Sequence, residues 1–182
     1  GSLRGARHYD TPGPSFGSVA VGDFNGDGNP DVVNTNSIGF SPNVSLFLDG
    51  QNGTLRPPAN FPAPDGALSL AVTDFNLDGK LDVIVGGNST VRVMLGNGDG
   101  SFQLPIVSGI LQPGNFLAIG DFNNDGKPDV LVVSFSGTSM EVLLGMGDGT
   151  FAAPVSYFTG LSPVRAALGD FNADGKLYVV ES

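Results

Sequence analysis

Four stretches of this chain carry the same acidic phrase: Asp23-Phe24-Asn25-Gly26-Asp27-Gly28, Asp74-Phe75-Asn76-Leu77-Asp78-Gly79, Asp121-Phe122-Asn123-Asn124-Asp125-Gly126 and Asp170-Phe171-Asn172-Ala173-Asp174-Gly175. Oxygen-bearing side chains at positions 1, 3 and 5 ahead of a glycine are how a short loop wraps a hard cation such as calcium. In the first three copies another aspartate stands at position 9, as Asp31, Asp82 and Asp129. The expected ligand sets are Asp23, Asn25, Asp27, Asn29 and Asp31; Asp74, Asn76, Asp78, Lys80 and Asp82; and Asp121, Asn123, Asp125, Lys127 and Asp129. The fourth loop offers Asp170, Asn172, Asp174 and Lys176. Position 7 enters through its backbone carbonyl, so its side chain is free to vary. Glycine at position 6 supplies the positive φ that closes the turn. Tyr178 occupies position 9 of the fourth copy, and a phenol that stays protonated at neutral pH is a poor calcium ligand. Three strong Ca²⁺ sites and a weaker or empty fourth are expected, in loops 23–31, 74–82, 121–129 and 170–178.

A single such string reads as an acidic surface turn, because Asp, Asn and Gly form turns readily. Four copies in register, each keeping its oxygen ligands while position 4 drifts through Gly, Leu, Asn and Ala, exceed what turn formation requires. The charge points the same way. Eleven of the 18 acids lie in the four loops, and the other seven nearly balance eight Lys and Arg. A divalent cation in every loop would move the net charge from −10 to −2. Such an acidic chain is a poor partner for nucleic acid or anionic membranes, and no long apolar run predicts membrane insertion. Carboxylates crowded into one loop repel one another, so the metal-free loops should be strained. With no cysteine, the chain has no disulfide, which leaves bound metal as the available staple. Loops of this charge suit the millimolar calcium found outside cells, so an extracellular or cell-surface location is expected.

The first aspartates of the loops are 51, 47 and 49 positions apart. A period near fifty is one supersecondary unit copied along the chain. Each loop is preceded by a short apolar run (Val19 to Val21, Leu70 to Val72, Leu117 to Ile119, Ala166 to Leu168) and followed by another (Val32-Val33, Val83 to Val85, Val130 to Val133, Val179-Val180). These read as strands. A third follows at Val44 to Leu48, Val91 to Leu95 and Val142 to Leu144. Next comes a hairpin phrase, Gly96-Asn97-Gly98-Asp99-Gly100-Ser101-Phe102 and Gly145-Met146-Gly147-Asp148-Gly149-Thr150-Phe151, with a looser copy from Asp49 to Leu55. Its Asn-Gly and Asp-Gly pairs fit a tight turn. A fourth strand is expected to open at Phe or Leu, with Pro58, Pro105 or Pro154 marking it as an edge. No segment sustains a helical period. The fold class is all-β: β-propeller blades, four-stranded antiparallel sheets, about 3.5–4 blades in this chain.

The stretch from Phe16 to Gly28 resembles the FG-GAP repeat, also described as VCBS-like, of integrin α-subunit propellers and many bacterial secreted proteins. The Phe-Gly pair itself stands only in the first copy. The resemblance covers nearly the whole chain and implies that the loop residues named above ligate calcium. It also implies secreted or surface recognition and adhesion with no one shared ligand, and rings of seven or eight blades.

Other chemistry finds little support. The one histidine, His8, lies in the N-terminal segment, and no serine sits in a nucleophile elbow. The paired acids are committed to loops, and a hydrolytic zinc centre would need histidines. No catalysis is expected. Phe24, Phe75, Phe122 and Phe171 are expected to wedge each loop against a neighbouring blade. The function expected is a calcium-binding module for extracellular protein recognition, adhesion or scaffolding. The alternatives are a lectin-like sugar-binding propeller, weakened by the absence of Trp, and a fragment of a larger secreted enzyme. Gly1-Ser2 reads as the remnant of a cleaved tag, which places the propeller segment at 3–182. Ala6 to Thr11 aligns with the fourth strand of a blade, so the chain should hold that stray strand, three whole blades and half of another. Two chains completing one ring as a homodimer, an irregularly packed piece and a closed four-bladed monomer all remain open.

Overall fold

The computed structural model describes residues 8–10, 17–37, 42–50, 53–135, 137–160 and 165–181. These form strands only. The first sheet is β1 (Val19–Gly22), β2 (Asp31–Asn36), β3 (Asn43–Phe47) and β4 (Ala59–Pro62). The second is β5 (Ser69–Thr73), β6 (Asp82–Gly86), β7 (Thr90–Met94) and β8 (Ile106–Gly109). The third is β9 (Phe116–Gly120), β10 (Asp129–Val133), β11 (Ser139–Leu143) and β12 (Val155–Phe158). A two-stranded sheet, β13 (Ala166–Gly169) and β14 (Tyr178–Glu181), follows. Within each sheet the strands are antiparallel and lie side by side in chain order. The repeats are therefore three blades and a half-blade. The first strands β1, β5, β9 and β13 meet in succession, so the blades fan about a common axis as in a propeller, without closing into a ring among the described residues.

The period-2 pleat of each central strand explains where the core lies. Val83 and Val85 of β6 face the first blade and pack with Val33, Val44, Leu46 and Phe24. Ile84, the residue between them, joins Val130, Val132 and Leu143 of the third blade. One strand thus feeds two interblade cores, and β6 and β10 are buried throughout. Burial falls off outward, and all four residues of β12 are exposed.

The fourth strands begin later than expected. Leu55, Phe102 and Phe151 make only isolated bridges to Asp49, Gly96 and Gly145. Pro58, Pro105 and Pro154 lie between bridge and strand, where a residue without N–H breaks no ladder. The expected N-terminal strand falls partly outside the described residues, at Ala6, Arg7 and Thr11. His8 to Asp10 are not in a strand, yet Tyr9 stacks edge-on against Phe47 (6.3 Å) and its hydroxyl accepts the Leu55 N–H (3.1 Å).

Blade one differs from the others on the face turned away from blade two. Its Asn34, Asn36, Asn43, Ser45 and Asn60 form a hydrogen-bonded ladder, with Asn36 Nδ2 donating to Asn43 (2.7 Å) and to Ser45 (2.8 Å), and Ser45 Oγ donating to Asn60 (2.6 Å). The matching face of blade two carries Val85 and Arg92, that of blade three Val132 and Glu141.

Candidate metal centre

Each loop joins the first two strands of its unit, β1 to β2, β5 to β6, β9 to β10 and β13 to β14. The position-1 carboxylate organises it. Asp23, Asp74, Asp121 and Asp170 each accept the position-5 amide on one oxygen and the position-6 glycine amide on the other, at 2.7–2.8 Å for the glycine. The Asn at position 3 accepts the position-5 amide as well, and the position-5 Asp accepts the position-7 amide. These bonds favour the charged carboxylates. The Asn29 backbone amide, then the Asn25 side chain, hold Asp27 below the usual carboxylate range, and the Gly175 amide does the same for Asp170.

Two positions need the left-handed backbone, where one was expected. Glycine at position 6 has φ near +80° in every loop, and position 4 is also left-handed: Gly26 (71°), Leu77 (60°), Asn124 (58°) and Ala173 (59°). Position 4 drifts in sequence but not in conformation.

The position-9 aspartates do something that the sequence did not disclose. Asp31, Asp82 and Asp129 are fully buried. One oxygen of each accepts the N–H of the loop phenylalanine, from Phe24 (3.0 Å), Phe75 (2.8 Å) and Phe122 (2.7 Å). The other reaches across the blade to the start of the hairpin phrase, accepting N–H from Asp49 (2.7 Å), Gly96 (2.7 Å) and Gly145 (2.8 Å). One carboxylate thus ties loop, central strand and hairpin together. The approach is close, because a Cβ on Gly96 would strike the Leu81 carbonyl and one on Gly145 the Pro128 carbonyl. Burial outweighs these bonds for Asp82 and pushes its carboxyl above the usual range, with the Asp74 and Asp78 charges adding to the rise. In the fourth loop the Tyr178 hydroxyl donates to Asp174 (3.0 Å) and accepts from Asn172 (2.8 Å), so the cross-blade tie is absent there.

Among the described residues no three His, Cys, Asp or Glu side chains converge to hold an ion. What each loop presents is a carboxylate at position 1, half-buried in the first three loops and exposed in the fourth, an exposed carboxylate at position 5, the amide oxygen at position 3 and the carbonyl at position 7. This all-oxygen set fits a hard cation by type, since calcium also takes carbonyl and water ligands. The third carboxylate of each full loop is spent mainly on backbone amides. Loops two and three hold a resident cation as well: the Lys80 ammonium lies 3.4 Å from Asp78 and that of Lys127 3.8 Å from Asp125. Loop one instead has Asn29, whose amide donates to Asp27.

The phenylalanines wedge as expected in two units. Phe24 and Phe75 are buried and meet Phe102 and Phe151 of the next blade edge-on at 5.9 Å. Their carbonyls accept the N–H of Gly100 and Gly149. Phe122 is half-buried and Phe171 is 65% exposed. The wedge needs the hairpin of the following blade, which the half-blade does not present among the described residues. His8, considered as a base, is exposed and lies 3.2 Å from Asp10.

No curated protein sequence matches the chain. Among solved structures it is similar to a lectin of Agrocybe aegerita described as recognising non-reducing terminal N-acetylglucosamine, at TM-score 0.56 and 22% identity over 80% of this chain and 39% of that one. A mutant Photorhabdus luminescens Tc holotoxin pore superposes at TM-score 0.51 and 18% identity, over 88% of this chain and 8% of that one. The chain therefore spans well under half of either structure, and the likeness carries the fold alone. The FG-GAP-like repeat matches three times in overlapping register, at residues 23–85, 74–132 and 121–180. Each match begins on the first aspartate of a loop described above, and together they span most of the sequence: the chain belongs to the FG-GAP-like repeat family.

Proposed function

We propose that this chain is a calcium-stabilised propeller segment that acts outside the cell in recognition, adhesion or scaffolding, and that it catalyses no reaction. The observation that supports this most is the loop geometry: four copies of one backbone conformation, each presenting two carboxylates and an amide oxygen to solvent. Loop one should hold Ca²⁺ most tightly, because no lysine lies beside its carboxylates. Loops two and three must displace an ammonium, and loop four, where Tyr178 spends its hydroxyl on Asp174, should be weakest or empty.

Calorimetric titration of the metal-free chain should return three sites with the first distinct, and each occupied site should add about 2.7 kcal/mol to stability at a hundredfold excess over its dissociation constant. A melting temperature that chelator leaves unchanged would overturn the metal reading, and four equivalent sites would overturn the ranking. The recognised ligand is a protein on this reading and a glycan on the lectin-like alternative. A glycan array probed with the calcium-loaded chain decides between this reading and a lectin-like one.

A further inference from the structure

We propose that the open edge of the half-blade is a protein-docking site: it takes the third strand and hairpin of an FG-GAP-like repeat carried by a partner chain, whatever the loops bind. Among the described residues β14 is paired on one side only, with β13, whereas β2, β6 and β10 are paired on both. A free edge offers N–H and C=O groups to an added strand.

Beside that edge, between blade three and the half-blade, lies a cavity of about 350 Å³. Its walls Phe122, Met140, Val142, Leu144, Tyr157 and Val179 hold the positions of Phe24, Val44, Leu46, Leu48, Phe61 and Val83 at the junction of blades one and two. There the six belong to one packed core, which Met94 and Phe102 of the following blade complete. At the next junction Phe75, Val91, Val93, Leu95 and Val130 are completed in the same way by Leu143 and Phe151. Asn123 also lines the cavity, and both ends of its amide bond Asp125 within the loop.

The two filled junctions show what the third one fits. Phe102 meets Phe24, and Phe151 meets Phe75, each edge-on at 5.9 Å. The hairpin glycines Gly100 and Gly149 donate their N–H to the Phe24 and Phe75 carbonyls and lie so near Leu48 and Leu95 that a Cβ would crowd them. At the third junction the Phe122 carbonyl accepts no such bond among the described residues. Phe122 is half-buried, where Phe24 is 3% exposed and Phe75 2%. In the register of the three blades, the donor residue in the place of Phe47, Met94 or Leu143 falls opposite Val179. The site therefore specifies an apolar strand, antiparallel to β14, followed by a glycine-rich turn that ends in phenylalanine. The free edge supplies main-chain bonds and the cavity selects the aromatic side chain.

A peptide with the sequence Thr90 to Phe102, labelled with a fluorophore, tests the assignment on the whole chain in calcium. Anisotropy should show saturable binding at one site, and hydrogen exchange should show protection gained at Tyr178–Glu181 while β7 and β11 exchange as before. Phe102→Ala in the peptide should weaken binding about tenfold or more, and so should Tyr157→Asp in the chain, at a half-exposed wall of the cavity. Phe158→Asp, 85% exposed and on the opposite face of β12, should leave binding within about twofold. Binding without protection of β14, or binding indifferent to Tyr157→Asp, overturns the site. Equal binding of the Phe102→Ala peptide overturns the phenylalanine as its anchor. A doubled mass of the chain that the peptide dissociates would give the edge to a second copy and overturn the separate partner.

Discussion

The left-handed residue at position 4 shows how one conformation can hold while the side chain varies. A non-glycine residue in that region costs roughly 1–2 kcal/mol, less for Asn, whose short polar side chain tolerates it. Leu77 bears that cost with its side chain 55% exposed, so little packing offsets it. Leu77→Gly removes the strain at some cost in chain entropy, and the variant should gain about 0.5–1 kcal/mol in urea denaturation. An unchanged or lowered midpoint would show that Leu77 makes a compensating contact. The loops were legible in the sequence because Asp, Asn and Gly recur there at fixed offsets. The two tasks of the position-9 aspartate were not, because a ligand and an acceptor of backbone amides have the same side chain, and the amides it accepts from on the hairpin lie 14–18 positions away.

At the scale of elements, the unit is the joint between a loop and the next hairpin. Phe75 inserts beneath the third blade against Phe151 and gives its carbonyl to Gly149. Phe75→Ala should cost about 3–5 kcal/mol, the range for truncating a buried phenylalanine. Phe171→Ala, at the same position of the fourth unit but exposed, should cost under about 0.5 kcal/mol. Chemical denaturation of the two variants side by side checks this, and equal losses would mean that the half-blade is packed as tightly as the others. The sequence placed the strands to within a few residues because Val, Ile and Leu runs alternate with turn residues. It misplaced the start of the fourth strand because a single Phe–Gly bridge and a short strand give the same local pattern.

For the molecule as a whole, the two ends of the fan differ. The far face of blade one is the Asn–Ser ladder, whereas the other end is the half-blade, which already stands against the Phe122, Met140, Val142, Leu144 and Tyr157 face of blade three around a cavity of about 350 Å³. A twofold ring of two copies, one of the three arrangements that the sequence leaves open, must set the polar face of blade one against the half-blade of the other copy at each of its two joints. Light scattering in calcium tests whether it does: twice 18.6 kDa supports the two-chain ring, and 18.6 kDa removes it.

The buried aspartates also bear on how the chain would yield to mechanical load. Each one anchors three segments of its blade at a single point, so pulling on the ends cannot peel away a hairpin without breaking the tie that holds the loop. A blade of 47–51 residues should then surrender as one event, lengthening the tether by about 160 Å at roughly 3.3–3.6 Å per residue. The half-blade, where Tyr178 makes no such tie, should give way first and at lower force. A sawtooth of blade-sized steps under an optical trap is the expected record, and many smaller steps would show the strands separating one by one.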